Sequence, residues 1–152
     1  MRQVVVLDHR DRQVAERIRH LQRASYGVEA LLIGYDRMPP LVERTDDIME
    51  LVLTILGVVE QRELQGLVGY RRHRDLVDVD RLAVHPSKFR RGIGARLLES
   101  VHEREQDARR FEVSTGANNE PAIALYRAAG YTPMGEEDRD GVAVVQLVRE
   151  LR

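Results

Sequence analysis

The sequence predicts a mixed α/β (α+β) fold, with a mostly antiparallel sheet of six to seven strands flanked by about four helices. Apolar runs of strand length occur seven times along the chain, and helical periodicity fills three of the intervals between them. Three of these runs follow one another across short polar links, which is typical of consecutive antiparallel strands. No internal repeat or linker divides the 152 residues, so we interpret residues 1–152 as a single domain.

The first part of the chain is predicted to form one strand and then helices. The apolar run Gln3–Asp8 predicts the strand, and Asp11 is a suitable N-cap for the helix that follows. The apolar residues of that helix keep a spacing of three or four: Val14, Ile18 and Leu21. The stretch after residue 24 is less regular, because Pro39 and Pro40 are expected to stop any helix there. A further helical turn is expected to begin near Thr45.

Three strand-like runs in the middle of the chain predict an antiparallel meander. They cover Leu53–Glu60, Leu64–Arg72 and Leu76–Val84, and the last of them ends at Pro86. Short polar links join them, and such links are long enough only for hairpin turns. We therefore expect these strands to lie side by side in the sheet.

Helices and strands alternate in the remainder of the chain. A helix is expected to open within Phe89–Leu98, and Phe111–Thr115 predicts the next strand. A short helix follows, with Asn119 as its N-cap and Gly130 as its C-terminal cap. Two further apolar runs, joined by the polar segment DRDG, predict a closing hairpin. The first of these helices is expected to cross over between the fourth and fifth strands.

Composition excludes several classes of protein and site. The chain has no cysteine, so disulfides, thiolate metal sites and a cysteine nucleophile are excluded. No apolar run reaches about 18 residues, and the N-terminal run is too short for a secretory signal, so we expect a cytoplasmic protein without a membrane partner. The net charge of −1 argues against a nucleic-acid partner. Because the histidines are not clustered with other metal ligands, no metal is expected.

The segment FRRGIGARLL (Phe89–Leu98) carries a functional signal. It places Gly92 and Gly94 at the start of a helix, although a glycine inside a helix costs about 1 kcal/mol relative to alanine. The first-turn N–H groups of a helix lack intrahelical partners and attract anions, and glycine lets a phosphate approach the backbone closely. Three arginines flank the glycines: Arg90, Arg91 and Arg96.

Several roles for this glycine segment can be compared. A nucleotide-binding loop would need the sequence Gly-Lys-Ser/Thr, which is absent. A dinucleotide fingerprint would need a third glycine where Leu97 stands, together with parallel strands that the predicted meander contradicts. The pyrophosphate of coenzyme A remains. The structural alternative is that the glycines only permit close packing of the helix on the sheet.

Two motifs together resemble the GNAT superfamily of acyl-CoA-dependent N-acyltransferases. The family motif Gln/Arg-x-x-Gly-x-Gly/Ala is similar to residues 89–94, where Phe89 replaces the usual leading glutamine or arginine. The second motif, Asn-x-x-Ala-Ile-x-Leu-Tyr-x-x-x-Gly-Phe/Tyr, is matched from Asn119 to Tyr131. The resemblance covers Val79–Tyr131 closely. We expect Phe89 to contribute to packing rather than to contact a cofactor.

The resemblance implies an N-acetyltransferase that uses acetyl-CoA as its cosubstrate and needs no metal. Its fourth and fifth strands would splay apart, and the pantetheine arm would pair with the backbone of Leu82–Val84. The pyrophosphate would rest on the amides of Arg91–Ala95. The implied cofactor-binding residues are Leu82, Ala83, Val84, Arg90, Arg91, Gly92, Ile93, Gly94, Ala95, Asn119 and Tyr126.

The resemblance also implies direct attack of a primary amine on the acyl thioester, with Tyr126 protonating the leaving thiolate. An amine with a pKa near 10.4 must lose a proton before it attacks, and a carboxylate is the usual base. The candidates on the fourth strand are Asp78 and Asp80, which a regular strand would place on one face. Glu112 is a weaker third candidate. The choice among these carboxylates stays open.

Two questions about function stay open in the sequence. A non-catalytic acyl-CoA-binding or regulatory module on the same fold is the alternative to an enzyme. The acceptor, a small molecule or a peptide carrying an amine, is not identified, and the resemblance assigns its recognition to Tyr26–Leu41 and Met134–Val142. The acyl-chain preference and the oligomeric state, a homodimer included, are likewise undetermined.

Overall fold

The computed structural model describes residues 3–151, so the two ends of the predicted domain, residues 1–2 and 152, lie outside the described residues. The strands are β1 (Gln3–Val6), β2 (Thr54–Glu60), β3 (Glu63–His73), β4 (Leu76–Val84), β5 (Arg110–Gly116), β6 (Thr132–Arg139) and β7 (Val142–Glu150). The helices are α1 (Arg12–Ile33), α2 (Pro39–Val42), α3 (Thr45–Met49), α4 (Ile93–Arg104) and α5 (Glu120–Ala128).

One sheet holds these strands in the order β1-β2-β3-β4-β5-β7-β6. Every neighbouring pair is antiparallel except β4 and β5, which are parallel. Parallel neighbours need a crossover connection, and α4 supplies it. The predicted mixed, mostly antiparallel sheet, with its meander and its helical crossover between the fourth and fifth strands, is therefore confirmed.

The first helix begins where the sequence predicts but extends much further. The Asp11 side chain accepts hydrogen bonds from the backbone N–H groups of Gln13 and Val14, at 2.9 and 3.2 Å, as an N-cap does. The helix then continues to Ile33 and ends at Gly34, whose φ of 69° is the left-handed conformation common after a helix. The first part of the stretch that the sequence left irregular is thus the second half of α1.

The two prolines start a helix instead of preventing one. Pro39 is the first residue of the short helix α2, where a missing backbone N–H costs nothing because the first-turn amides lack intrahelical partners. Pro40 is buried beneath α1, and its carbonyl accepts a hydrogen bond from the side chain of Gln22 at 3.0 Å. The helical pattern does break between Gly34 and Met38 as expected, but the prolines begin the next helix rather than stop one.

Hydrophobic clusters cover both faces of the sheet. One cluster joins the strands to α4 and α5 and contains Leu97 and Phe111. The other joins the strands to α1 and α3 and contains Ile18. The adjacent β2 residues Ile55 and Leu56 belong to opposite clusters, as the alternation of side chains along a strand requires. The sheet is thus a middle layer between two helical layers, and its two sides are both buried.

Candidate active site

A bulge in β4 shapes the centre of the sheet. Tyr70 of β3 pairs with Val79, and Gly69 pairs with Arg81, so Asp80 has no residue opposite it. An extra residue of this kind bends a strand and increases its local twist. The second half of β4 is therefore turned relative to the first half.

The strands β4 and β5 separate at this bulge. They are paired from Leu76 opposite Arg110 to Val79 opposite Val113, and both strands then continue without pairing to each other. The backbone groups on the free side of β4 need other partners, because unpaired buried amides are costly. The splayed fourth and fifth strands that the resemblance implies are confirmed.

Side chains of α1 bind the free amides of β4. The N–H of Leu82 donates to the Tyr26 hydroxyl at 3.0 Å, and the N–H of Val84 donates to the Ser25 hydroxyl at 3.2 Å. Ala83 lies between them, with its side chain buried among the α1 cluster and its carbonyl on the β3 side of the strand. Of the three residues whose backbone was expected to contact the pantetheine arm, Leu82 and Val84 therefore direct their amides into the gap.

The gap opens into one cavity of about 910 Å³. It lies among α1, the ends of β4 and β5, the start of α4, α5 and the turn between β6 and β7. Many of the residues expected at the site line it: Asp80, Leu82, Val84, Arg90, Gly92, Ile93, Gly94, Ala95, Asn119 and Tyr126. Asp78, Ala83 and Arg91 are not among its lining residues. Phe89, which was expected to pack in the fold, instead lines this cavity with 43% of its surface exposed.

The two glycines of the helix start have different roles. Gly92 is the N-cap of α4 with a φ of 77°, a left-handed conformation that glycine adopts readily, and a Cβ there would meet nothing within 4 Å. Gly94 lies inside the helix, and a Cβ there would approach Cδ2 of Leu125 to 2.9 Å. Gly92 is therefore favoured by its backbone conformation, whereas a side chain at Gly94 would require the end of the Leu125 side chain to move.

Tyr126 is buried at the inner end of this cavity. Only 5% of the residue is exposed, and its ring packs edge-on against Tyr131 with 5.8 Å between the ring centroids. Its hydroxyl makes no hydrogen bond within residues 3–151. Because no fully buried polar side-chain atom in that range lacks a partner, the hydroxyl oxygen is not fully buried. Burial raises the pKa of the Tyr126 phenol well above its ordinary value, and the nearby Tyr26 and Glu29 raise it further. The phenol therefore stays protonated at neutral pH.

The three carboxylates predicted from the strands all face arginines. Asp80 lies 2.7 Å from Nε of Arg81 and 3.5 Å from the Arg71 guanidinium. The same Arg71 atom lies 3.7 Å from Asp78, so the two aspartates share a face as predicted. Burial raises the pKa of Asp78, whereas Arg71 opposes that shift. Glu112 lies 2.7 Å from Nε of Arg110.

Sequence reasoning missed a fourth carboxylate, Glu29 of α1. Its Oε1 accepts hydrogen bonds from the Asn119 amide at 2.6 Å and from the Thr115 hydroxyl at 3.2 Å. Burial raises the pKa of Glu29, and these two hydrogen bonds only partly oppose the shift. No lysine, arginine or histidine of the described chain lies within 4 Å of it. The available signal was the helical spacing of Ser25 and Glu29, four residues apart on one face.

Within residues 3–151 no three side chains of histidine, aspartate or glutamate gather in a way that could hold a metal ion. No helix in the same range is both long and apolar enough to cross a membrane.

The chain is similar to known proteins in both sequence and fold. Residues 53–133 match the family model described as the acetyltransferase (GNAT) domain. A protein of Bacillus subtilis strain 168, the UPF0157 protein YqkA, is 36% identical to the chain over 125 residues. That match covers 82% of this chain but 36% of YqkA, so the chain spans little more than a third of that relative's length.

Solved structures share the fold at low sequence identity. The PaiA N-acetyltransferase of Thermoplasma acidophilum, in complex with coenzyme A, is similar with a TM-score of 0.81 and 16% identity, and 99% of each chain is covered. The ribosomal-protein-S18-alanine N-acetyltransferase of Escherichia coli is similar with a TM-score of 0.73 and 15% identity, over 99% of this chain and 94% of that one. At these identities the likeness concerns the fold alone.

Proposed function

The chain belongs to the GNAT family of acetyltransferases, and on this premise we propose that it transfers an acetyl group from acetyl-CoA to a primary amine. The acetyl donor would lie in the gap between β4 and β5, and the acceptor would approach from the side of α1 and the β6–β7 turn. We further propose that residues 1–152 act as one catalytic domain. The whole relative YqkA is longer, so the proposal concerns this segment only.

The fit of coenzyme A rests on two features of the cavity. The Leu82 and Val84 amides point into the gap, and carbonyl oxygens of a pantetheine arm can replace the Tyr26 and Ser25 hydroxyls as their acceptors. At the other end, the first-turn amides of α4 have no capping side chain, and the space beside Gly92 is open. A helix start of this kind favours a phosphate group.

Charge supports the same orientation. Lys88 and Arg90 line the cavity beside the start of α4, where the pyrophosphate would carry negative charge. The other arginines that line the cavity, Arg81 and Arg139, are both paired with carboxylates. We therefore assign the α4 end to the nucleotide and the opposite end to the acceptor.

The proposed reaction forms one bond and breaks one. The amine nitrogen of the acceptor attacks the thioester carbonyl carbon, the carbon–sulfur bond breaks, and the sulfur leaves with the bonding electrons. Tyr126 would donate its phenolic proton to that sulfur, since its raised pKa keeps it protonated and its hydroxyl has no other partner within residues 3–151. The products are an acetamide and the free thiol of coenzyme A.

A single observation carries this proposal: the Tyr126 hydroxyl, which has no hydrogen-bond partner in residues 3–151, shares one cavity with the Leu82 and Val84 amides of β4 and with the α4 start. The alternative is a non-catalytic module that binds acyl-CoA. Purified protein with acetyl-CoA and a panel of primary amines separates the two. The proposal expects thiol release that depends on an amine, whereas binding of acetyl-CoA without amine-dependent release would support the module.

A further inference from the structure

We propose that Glu29 binds the ammonium group of the acceptor and takes its proton, and that the acceptor is a primary monoamine on an apolar body. This inference rests on the proposed acetyl transfer. It assigns the base to α1 rather than to the strand carboxylates, and it names a class of substrate.

The free oxygen of Glu29 is the first argument. Both hydrogen bonds to this carboxylate, from Asn119 and from Thr115, end on Oε1. Oε2 therefore has no donor within residues 3–151, and since no fully buried side-chain oxygen there lacks a partner, Oε2 is accessible from the cavity. In mainly apolar surroundings, a cation that reaches the carboxylate oxygen strongly stabilises the ionised form of the carboxylate.

The other acids of the cavity are already occupied. Asp80 is bound to Arg81 and Arg71, and Asp140 accepts a hydrogen bond from the Tyr35 hydroxyl at 3.3 Å. Glu29 is thus the partly buried lining carboxylate that no cation neutralises among the described residues, whereas Asp140, which also has no cation partner there, is exposed to solvent. One uncompensated negative charge matches one ammonium group, which favours a monoamine over a polyamine.

Among the described residues, the two arginines that line the acceptor end are already paired with carboxylates, and Arg37, outside the lining, lies over the Tyr35 ring. The Arg81 guanidinium is bound by Glu43, at 2.5 and 3.0 Å, and by Asp80. The Arg139 guanidinium is bound by Glu137 at 2.5 Å. A carboxylate on the acceptor would therefore be buried without a partner, which is costly. Amino acids with a free carboxylate next to the amine are disfavoured for this reason.

Apolar side chains form the walls beyond Glu29. They come from the end of α1, from the segment after it and from β7: Leu32, Ile33, Met38, Val142 and Val144. The hydrogen bond between Tyr35 and Asp140 joins the segment after α1 to the β6–β7 turn above them. Burying an alkyl or aryl group against such walls contributes roughly 25 cal/mol for each Å² removed from water.

Protons balance in the proposed step. The ammonium transfers one proton to Oε2 of Glu29 and becomes a neutral amine, whose lone pair attacks the thioester. The thiolate then takes the proton of Tyr126. Two protons remain, the second proton of the nitrogen and the proton held by Glu29: one of them restores Tyr126 and the other is released to water. The sum is an ammonium and a thioester giving an acetamide, a thiol and one released proton.

The ionisable groups around Glu29 can be named for each element. Tyr26 lies on the same helix, Tyr126 on α5, and both phenols have raised pKa values, so they stay neutral. β5 contributes the hydroxyl of Thr115, which does not titrate. The charged groups of β4 near this end, Asp80 and Arg81, are paired with each other. From the β6–β7 hairpin, Arg139 and Asp140 line the cavity. Asp140 is exposed to solvent, so Glu29 is the partly buried group expected to titrate when activity falls on acidification.

The first experiment compares E29Q with E16Q, an exposed carboxylate of the same helix. With phenethylamine as acceptor, E29Q should lower kcat/KM at pH 7 by about a hundredfold or more, whereas kcat/KM of E16Q should stay within about threefold of wild type. The acetyl-CoA affinity of both variants should also stay within about threefold of wild type. The loss in E29Q should shrink above pH 10, where the amine arrives without its proton. A purely structural role for Glu29 would give a loss that does not depend on pH and would overturn the inference.

The second experiment tests the substrate class with matched pairs. Phenethylamine should be acetylated at least about tenfold more efficiently than phenylalanine, which adds a carboxylate, and than spermidine, which adds cations. A preference for either of the latter would overturn the assigned class while leaving acetyl transfer intact. If the wild-type protein binds acetyl-CoA but releases no thiol with any amine, acetyl transfer itself is contradicted, and the inference falls with it.

Discussion

The side-chain amide of Asn119 donates a hydrogen bond to Glu29 across 90 residues of sequence, at 2.6 Å. The same side chain caps α5, because its Oδ1 accepts from the N–H of Ala122 at 3.2 Å. One asparagine thus starts a helix and holds a carboxylate of another helix in the cavity. The position of the proposed base is therefore coupled to the second family motif.

Substitution of Asn119 should separate these two roles. Asn119→Asp keeps an oxygen for the helix cap but replaces the amide donor by a like charge, so the pKa of Glu29 should rise further. The acid limb of kcat/KM should move to higher pH, and Tm near pH 7 should fall, because a second carboxylate is buried beside Glu29. Asn119→Ala loses the cap as well and should cost about 1 kcal/mol in unfolding free energy. An acid limb that stays in place in Asn119→Asp would show that Glu29 does not cause it.

Tyr126→Phe should lower turnover without disturbing the fold. The ring and its packing against Tyr131 are retained, so acetyl-CoA affinity and Tm should barely change, while kcat falls by about a hundredfold, the low end of general-acid effects. Since burial raises the pKa of this phenol, it stays protonated, and the loss should be uniform between pH 6 and pH 10.

Tyr131→Phe is the matched control for Tyr126→Phe. The Tyr131 hydroxyl bonds Nε2 of His102 at 2.8 Å, so its removal should cost about 1 kcal/mol of stability and leave kcat close to wild type. Steady-state kinetics and thermal unfolding of both variants provide the comparison. Near wild-type turnover in Tyr126→Phe would remove this residue from the reaction.

Gly94→Val should block the acetyl-CoA site. A Cβ at this position would lie 2.9 Å from Cδ2 of Leu125 and point toward the cavity that both residues line, so the branched side chain should reduce acetyl-CoA affinity by more than about tenfold. Gly27→Val on α1 is the control, because a Cβ there meets nothing within 4 Å. Calorimetric titration with acetyl-CoA measures both. Unchanged affinity in folded Gly94→Val would contradict the assigned site.

His102 should titrate at about pH 4 in the folded protein. Burial and, to a lesser extent, the Arg149 guanidinium beside Nδ1 together lower the pKa of this histidine to about 4. Because the unfolded chain has the higher pKa, near 6.5, it takes up the proton first, and this contribution to stability is lost as pH falls from about 6.5 toward 4. Tm should therefore fall less in His102→Gln than in wild type over that window. A histidine NMR titration near 6.5 would contradict the prediction.

The sequence predicted best those features that depend on neighbouring residues. The caps Asp11 and Asn119 and the strand limits of β4 depend on local chemistry, and the structure has them where the patterns indicated. The length of α1 was missed because its second half is fixed by contacts from Ser25 and Tyr26 to β4, nearly 60 residues later. A local pattern carries no information about such contacts.

Glu29 was missed for the same reason. Its partners Thr115 and Asn119 lie 86 and 90 residues away, and nothing in its local sequence distinguishes it from a solvated glutamate. Conversely, Asp78 and Asp80 alternate with apolar residues as a site pattern suggests, but the arginines that neutralise them could not be paired from sequence. Phe89 was misread because an aromatic residue at a turn is usually packed, and here the turn lies at the cavity.

The most direct measurement of the central claim follows both products of one reaction. Purified protein is incubated with acetyl-CoA and phenethylamine, and the coenzyme A thiol and the N-acetylated amine are quantified in the same samples. The account predicts equal amounts of the two products, with rates that saturate in each substrate and fall by about a hundredfold in Tyr126→Phe. Acetyl-CoA binding with no N-acetylated amine above the protein-free reaction, for any amine tested, would contradict it.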